Sequence, residues 1–185
     1  MNEKKIEKVV NELISENKSD VNIIIGKKGS GKTTYLTKKI KDTIKENIFF
    51  CSPVATFKKV NNILFLNDTV LLNTSFLQHE IKDSLLIFDD CKNYINPHPY
   101  EKNTLKIMNF VRLSRHYNNS MYFVFHSFEQ VTRTLWTLSD RIILFKSFDN
   151  IEKFSKIFSN FENVRKKFHE VNSNKSDNYH QVIEL

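Results

Sequence analysis

The chain has 185 residues, 40% of them hydrophobic and 26% charged. That is the composition of a globular protein with one buried core, too short for two domains of ordinary size. A formal charge of +7 favours a polyanionic partner or a phosphate-rich substrate, although lysines on solvated helices account for it equally well. Cys51 and Cys91 have no Cys-x-x-Cys or Cys/His spacing, which argues against zinc and for two reduced, buried thiols.

In chain order, Ile6, Val9, Val10, Leu13 and Ile14 repeat at helical spacing and predict an amphipathic helix over 3–15. The start of the chain leads into this helix, not into an apolar signal region, and no apolar run has the length of a membrane span. A reducing cytoplasm without membrane insertion is the expectation. Residues 21–25, mostly apolar and β-branched, read as a buried strand, and 32–45 as a helix. Two short apolar runs follow, at 48–51 and 63–66, then a weakly patterned helix over 70–82 and a buried strand over 85–88. Prolines on both sides of His98 place 91–103 in a loop. A helix is expected over 104–116, with Leu105, Met108 and Val111 on one face, then a strand over 121–125, a helix near 128–136 and a strand over 141–145. Phe154, Ile157, Phe158, Phe161, Val164 and Phe168 mark one or two closing helices, and 179–185 an edge strand. Strands alternating with helices imply an α/β fold, one domain over 1–185 whose mostly parallel sheet is covered on both faces. The abundant aromatics, among them Phe123 and Phe125, are spaced for core packing more than for stacking on bases.

The three glycines all lie within one stretch, Gly26-Lys27-Lys28-Gly29-Ser30-Gly31-Lys32-Thr33, which satisfies the phosphate-loop pattern G-x-x-x-x-G-K-[ST] in full. Glycines let the loop curl so that successive N–H groups face phosphate oxygens, and the following helix adds its dipole. The pattern assigns Lys32 to the β- and γ-phosphates and the Thr33 hydroxyl to Mg²⁺, with ATP as the nucleotide. Thr34 follows as a bystander, while Lys27 and Lys28 assist the phosphates or face solvent. The strand over 85–88 ends in Asp89-Asp90, a Walker B pattern. Strand alternation turns the two carboxylates apart, so that Asp89 supports the magnesium shell and Asp90 positions or activates water.

Downstream come Arg112-Leu113-Ser114-Arg115-His116, a strand ending at His126, Arg133, and Ser139-Asp140-Arg141 before the next strand. With the phosphate loop and acidic pair, this succession resembles the viral genome-packaging ATPases of the FtsK–HerA P-loop superfamily over residues 21–147. The resemblance implies an ATP-hydrolysing double-stranded DNA translocase in a pentameric or hexameric ring, at a viral portal or capsid vertex. It implies a place in the host-cell cytoplasm, on the procapsid or in the virion. It also implies an arginine that reaches a neighbour's nucleotide, with Arg115 the first choice and Arg112 and Arg133 behind it. An arginine finger supplies on the order of 10³ to 10⁵ in rate. The family usually has glutamine where this chain has His126, and a histidine there still donates a hydrogen bond. Two other readings stay open at this point, a small nucleotide or metabolite kinase, and a nucleotide-gated assembly protein that hydrolyses slowly.

Overall fold

In a computed structural model, residues 19–52, 63–66, 81–96 and 101–185 are described. The expected helix at 3–15, residues 70–80 of the expected helix at 70–82, and His98 with its prolines lie outside them. Seven strands form a single sheet: β1 (Val21–Ile25), β2 (Asn47–Cys51), β3 (Ile63–Leu66), β4 (Ser84–Phe88), β5 (Ser120–Phe125), β6 (Arg141–Leu144) and β7 (Gln181–Glu184). Their order is β3-β2-β4-β5-β1-β6-β7. Every neighbouring pair is parallel except β6 and β7. This is the mostly parallel α/β sheet expected, with the antiparallel edge strand formed by the end of the chain.

Both faces of the sheet are covered, which is why the central strands are mostly apolar; Asn22, polar and buried within β1, has its Nδ2 donating to Met121 O at 3.2 Å. Ile24, Ile48, Phe50, Leu85, Ile87, Val124, Ile143 and Phe145 form one core with Leu36 and Ile40 of helix α1 (Lys32–Asp42). The alternate positions, such as Ile23, Ile25, Phe88, Phe123 and Phe125, face a larger core. There they meet helices α2 (Lys102–Ser114), α3 (Arg133–Leu138) and α4 (Phe161–Ser173). This is the period-two alternation of a strand. The aromatics are packing groups, as expected: Phe88 and Phe123, paired in register, stack 4.6 Å apart, and Phe154 and Phe158 surround Phe128.

Three expectations need correction. α1 stops at Asp42, because Thr43 is extended at ψ 142°. On α2 the buried face is Thr104, Ile107, Met108, Phe110, Val111 and Ser114, while Leu105 is 48% exposed. At about 100° per residue, Leu105 falls past the edge of that arc. Residues 128–136 are not one helix. A 3₁₀ turn (Phe128–Gln130) is followed by extended Val131, and α3 begins after Thr132, whose hydroxyl accepts from Leu135 N–H at 3.1 Å.

Asn119, fully buried, ties β4 to the rest of the sheet. Its Oδ1 accepts from Ser84 N–H at 3.1 Å and its Nδ2 donates to Ile81 O at 3.0 Å. Those bonds set where β4 starts, and hence where Asp89 and Asp90 emerge.

Candidate functional site

Parallel strands carry their following residues to one edge of the sheet, where open α/β folds bind ligands. At that edge the residues after β1, β4 and β5 line a cavity of about 410 Å³. Its lining is Lys28 to Gly31 of the loop after β1, Lys32 to Thr34 at the start of α1, Ser52, Asp89, Asp90, His126 and Asn178. The sequence-derived residues Lys28, Gly29, Ser30, Gly31, Lys32, Thr33, Thr34, Asp89, Asp90 and His126 therefore converge on one space. Gly26 and Lys27 begin the loop, with Gly26 N–H donating to Phe125 O at 3.3 Å and Lys27 N–H to Lys146 O at 2.7 Å.

The loop's shape depends on its glycines. Gly29 and Gly31 hold φ of 80° and 91°, where a side chain is strained. At Gly26 the constraint is space: a Cβ would lie 2.5 Å from Phe145 Cβ and 2.7 Å from Ser30 Oγ. α1 starts at Lys32, so its first N–H groups and the positive end of its dipole face the cavity. Thr33 and Thr34 are exposed there.

Lys32 is 8% exposed. Its ammonium donates to Gly26 O and, at 2.9 Å, to Lys27 O. Burial pushes its pKa down from 10.5 to about 8, against the attraction of Asp89 and Asp90. Burial likewise pushes the Asp89 carboxyl up, partly offset by the Asp90 N–H, which donates to Asp89 Oδ1 at 3.0 Å. Asp90 sits in the left-handed region, φ 50° and ψ 51°, which Asp tolerates better than most residues. Asn93 Nδ2 holds its Oδ2 at 2.9 Å.

His126 joins the two halves of the site. Its Nδ1 is 3.4 Å from Lys32 Nζ and its Nε2 is 3.6 Å from Asp90 Oδ1. Its backbone N–H donates to Gln130 Oε1 at 2.9 Å, so the 3₁₀ turn holds the strand end. Among the described residues, two buried side-chain oxygens lack a hydrogen-bond partner, Ser30 Oγ and Asp90 Oδ1. Both belong to residues lining this cavity, and buried orphans of that kind fit a polar ligand. The oxygens of Thr33 and Asp89 suit Mg²⁺, a hard ion that takes one or two protein ligands and completes its shell with water and phosphate.

The arginines lie elsewhere. Arg115 Nη2 donates to Asp140 Oδ1 at 2.7 Å, and Asp140 Oδ2 accepts from Val21 N–H, the first residue of β1. Arg115 is thus a strand's length, roughly 16 Å at 3.3 Å per residue, from its own phosphate loop. Arg112 is exposed and bonded to Asn109 Oδ1 at 2.9 Å. Arg133 lines a second cavity, of about 390 Å³, with Trp136, Lys156 and Leu185. Cys51 and Cys91 are both buried, and Cys51 O accepts from Asp89 N–H at 2.8 Å. Sequence reasoning missed Ser52 and Asn178. No local signal marks Asn178, which lies over a hundred residues from the loop it touches.

No protein-family model and no curated protein sequence matches this chain. Solved structures do. The genome-packaging NTPase B204 of Sulfolobus turreted icosahedral virus 2, in complex with ATPγS, superposes with a TM-score of 0.69 at 15% identity, covering 90% of this chain and 92% of that one. The chain shares its α/β fold with that NTPase. The DNA-packaging ATPase B204 of Sulfolobus turreted icosahedral virus gives 0.65 at 16% identity, over 90% and 97%. The N-terminal domain of zonular occludens toxin from Neisseria meningitidis gives 0.56 at 12% identity, over 71% and 78%. At such identities the likeness is one of fold. No helix among the described residues is long and apolar enough to cross a membrane.

Proposed function

We propose that this chain is a Mg²⁺-dependent ATPase that translocates double-stranded DNA, acting in a ring as a viral genome-packaging motor subunit. The observation that carries the reading is the convergence of Lys28 to Thr34 of the phosphate loop, two carboxylates and His126 on one cavity. Lys32 and the loop N–H groups hold the phosphates, and Thr33 and Asp89 hold Mg²⁺, which offsets phosphate charge when bound. Asp90, with one oxygen fixed by Asn93 and the other unbonded, orients the attacking water and accepts its proton. His126 donates to the γ-phosphate or to that water from between Lys32 and Asp90. The fold shared with packaging NTPases and the charge of +7 support a DNA substrate, gripped through its phosphates.

Arg115 is too far from its own cavity to act there, and is 58% exposed in its pair with Asp140. An exposed pair of this kind is worth at most about 1 kcal/mol, so Arg115 can leave it to complete a neighbour's site. The test is ATP turnover against protein concentration, with and without double-stranded DNA, for wild type and Arg115→Ala. Turnover that rises cooperatively, increases with DNA and collapses in the variant while nucleotide still binds is the expected result. A concentration-independent, DNA-independent rate would overturn the motor.

A further inference from the structure

The cavity has two sides, set by the sheet order. Asp89, Asp90 and His126 come from β4 and β5, on one side of β1, while Asn178 comes from the other, where β6 and β7 lie. Asn178 belongs to residues 174–180, a strap joining α4 to β7. This strap is fastened to the phosphate loop's surroundings. Lys146 Nζ pairs with Asp177 Oδ1 at 3.0 Å, and Lys146 O also accepts the Lys27 N–H of the loop. The His180 ring stacks on Phe145 at 5.0 Å and meets Tyr35 of α1 edge-on at 4.9 Å. Phe145 is the residue that a Cβ on Gly26 would strike.

Asn178 itself lies against Gly31, where a Cβ would be 2.4 Å from its Oδ1 and 3.1 Å from its Cα. Gly31 therefore serves two needs, a left-handed φ and room for the strap. The Asn178 side chain is exposed to the cavity and has no hydrogen-bond partner among the described residues. Its amide offers a donor and an acceptor side by side.

We propose that the strap is the nucleoside-recognition element of this site, with Asn178 hydrogen-bonding the ribose or base of the bound nucleotide. This rests on the phosphate-loop reading above. If the terminal phosphate faces Asp90 and His126, the nucleoside leaves over Gly31 to Thr34, toward β6 and β7. Among the described residues, Asn178 lines the cavity on that side with its side-chain hydrogen-bonding atoms free.

The test compares the affinities for ATP and for inorganic tripolyphosphate, both with Mg²⁺, by calorimetric titration of wild type, Asn178→Ala and Lys32→Ala. Loss of one hydrogen bond to the nucleoside lowers the ratio of the ATP to the tripolyphosphate affinity about five- to tenfold in Asn178→Ala. Asn178→Ser reads the same ratio should alanine destabilise the strap. An unchanged ratio, with either both affinities intact or both reduced equally, overturns the proposal, since Asn178 would then act on the loop or on nothing. Lys32→Ala reports on the underlying reading: it weakens both ligands if the loop binds phosphate. If it weakens neither, the phosphate site fails, and nucleoside recognition fails with it.

Discussion

Raising the pH from 7 to 9 is expected to weaken ATP binding about tenfold, far below the range where an ordinary lysine titrates. Burial of Lys32 brings its pKa down to about 8 despite the nearby Asp89 and Asp90. The free protein therefore has roughly nine in ten Lys32 side chains charged at pH 7 and about one in ten at pH 9. A phosphate oxygen binds the ammonium, so the apparent affinity follows the charged fraction. Binding then takes up close to one proton per nucleotide at pH 9 and about a tenth of one at pH 7. Calorimetric titration in two buffers of different ionisation enthalpy measures both quantities. Lys32→Arg, whose guanidinium stays charged, should bind more weakly but without this pH dependence. A flat wild-type affinity between pH 7 and 9, with no proton uptake, would refute the argument. On stability the sign is opposite. Between about pH 8 and 10.5 the unfolded chain holds this proton and the folded chain does not. The penalty on folding from Lys32 is therefore present below about 8 and is relieved as pH rises.

Gly26→Ala, meeting Phe145 Cβ at 2.5 Å, should cost about 2 to 3 kcal/mol through overpacking. Gly29→Ala, with nothing within 4 Å but φ at +80°, should cost about 1 kcal/mol; urea unfolding compares them. Asn119→Ala removes the buried bonds to Ser84 at the start of β4 and to Ile81 just before it, and a stability loss of about 2 to 4 kcal/mol should accompany reduced turnover. His126→Ala should lower turnover about 10² or more, while His126→Gln, which keeps a donor, should retain most of it. Equal loss in the two variants would remove His126 as a hydrogen-bond donor to the reaction.

The parallel strands were legible because burial on both faces leaves largely apolar runs, as at 85–88 and, apart from Asn22, at 21–25. The phosphate loop was legible because its chemistry is local: glycines, lysine and threonine act within eight residues of one another. Contacts made across the chain were not. Nothing near Asn178 in the sequence signals Gly31, and the pairing of Arg115 with Asp140 joins the end of α2 to the start of β6. Helix ends were misjudged where one residue decides. Extended Thr43 stops α1, and the Thr132 cap begins α3 later than periodicity suggested. Leu105 was assigned to a face by spacing alone, although the arc centred on Ile107 and Val111 leaves it in water.

The central claim is that the cavity around Lys32 and Asp90 hydrolyses ATP, and steady-state phosphate release from wild type and Asp90→Asn, with ATP binding measured in parallel, tests it most directly. The account predicts Mg²⁺-dependent release by the wild type and a loss of about 10² to 10⁴ in the variant with nucleotide still bound. Equal rates in the two proteins, or no phosphate release by a wild type that binds ATP, would contradict it.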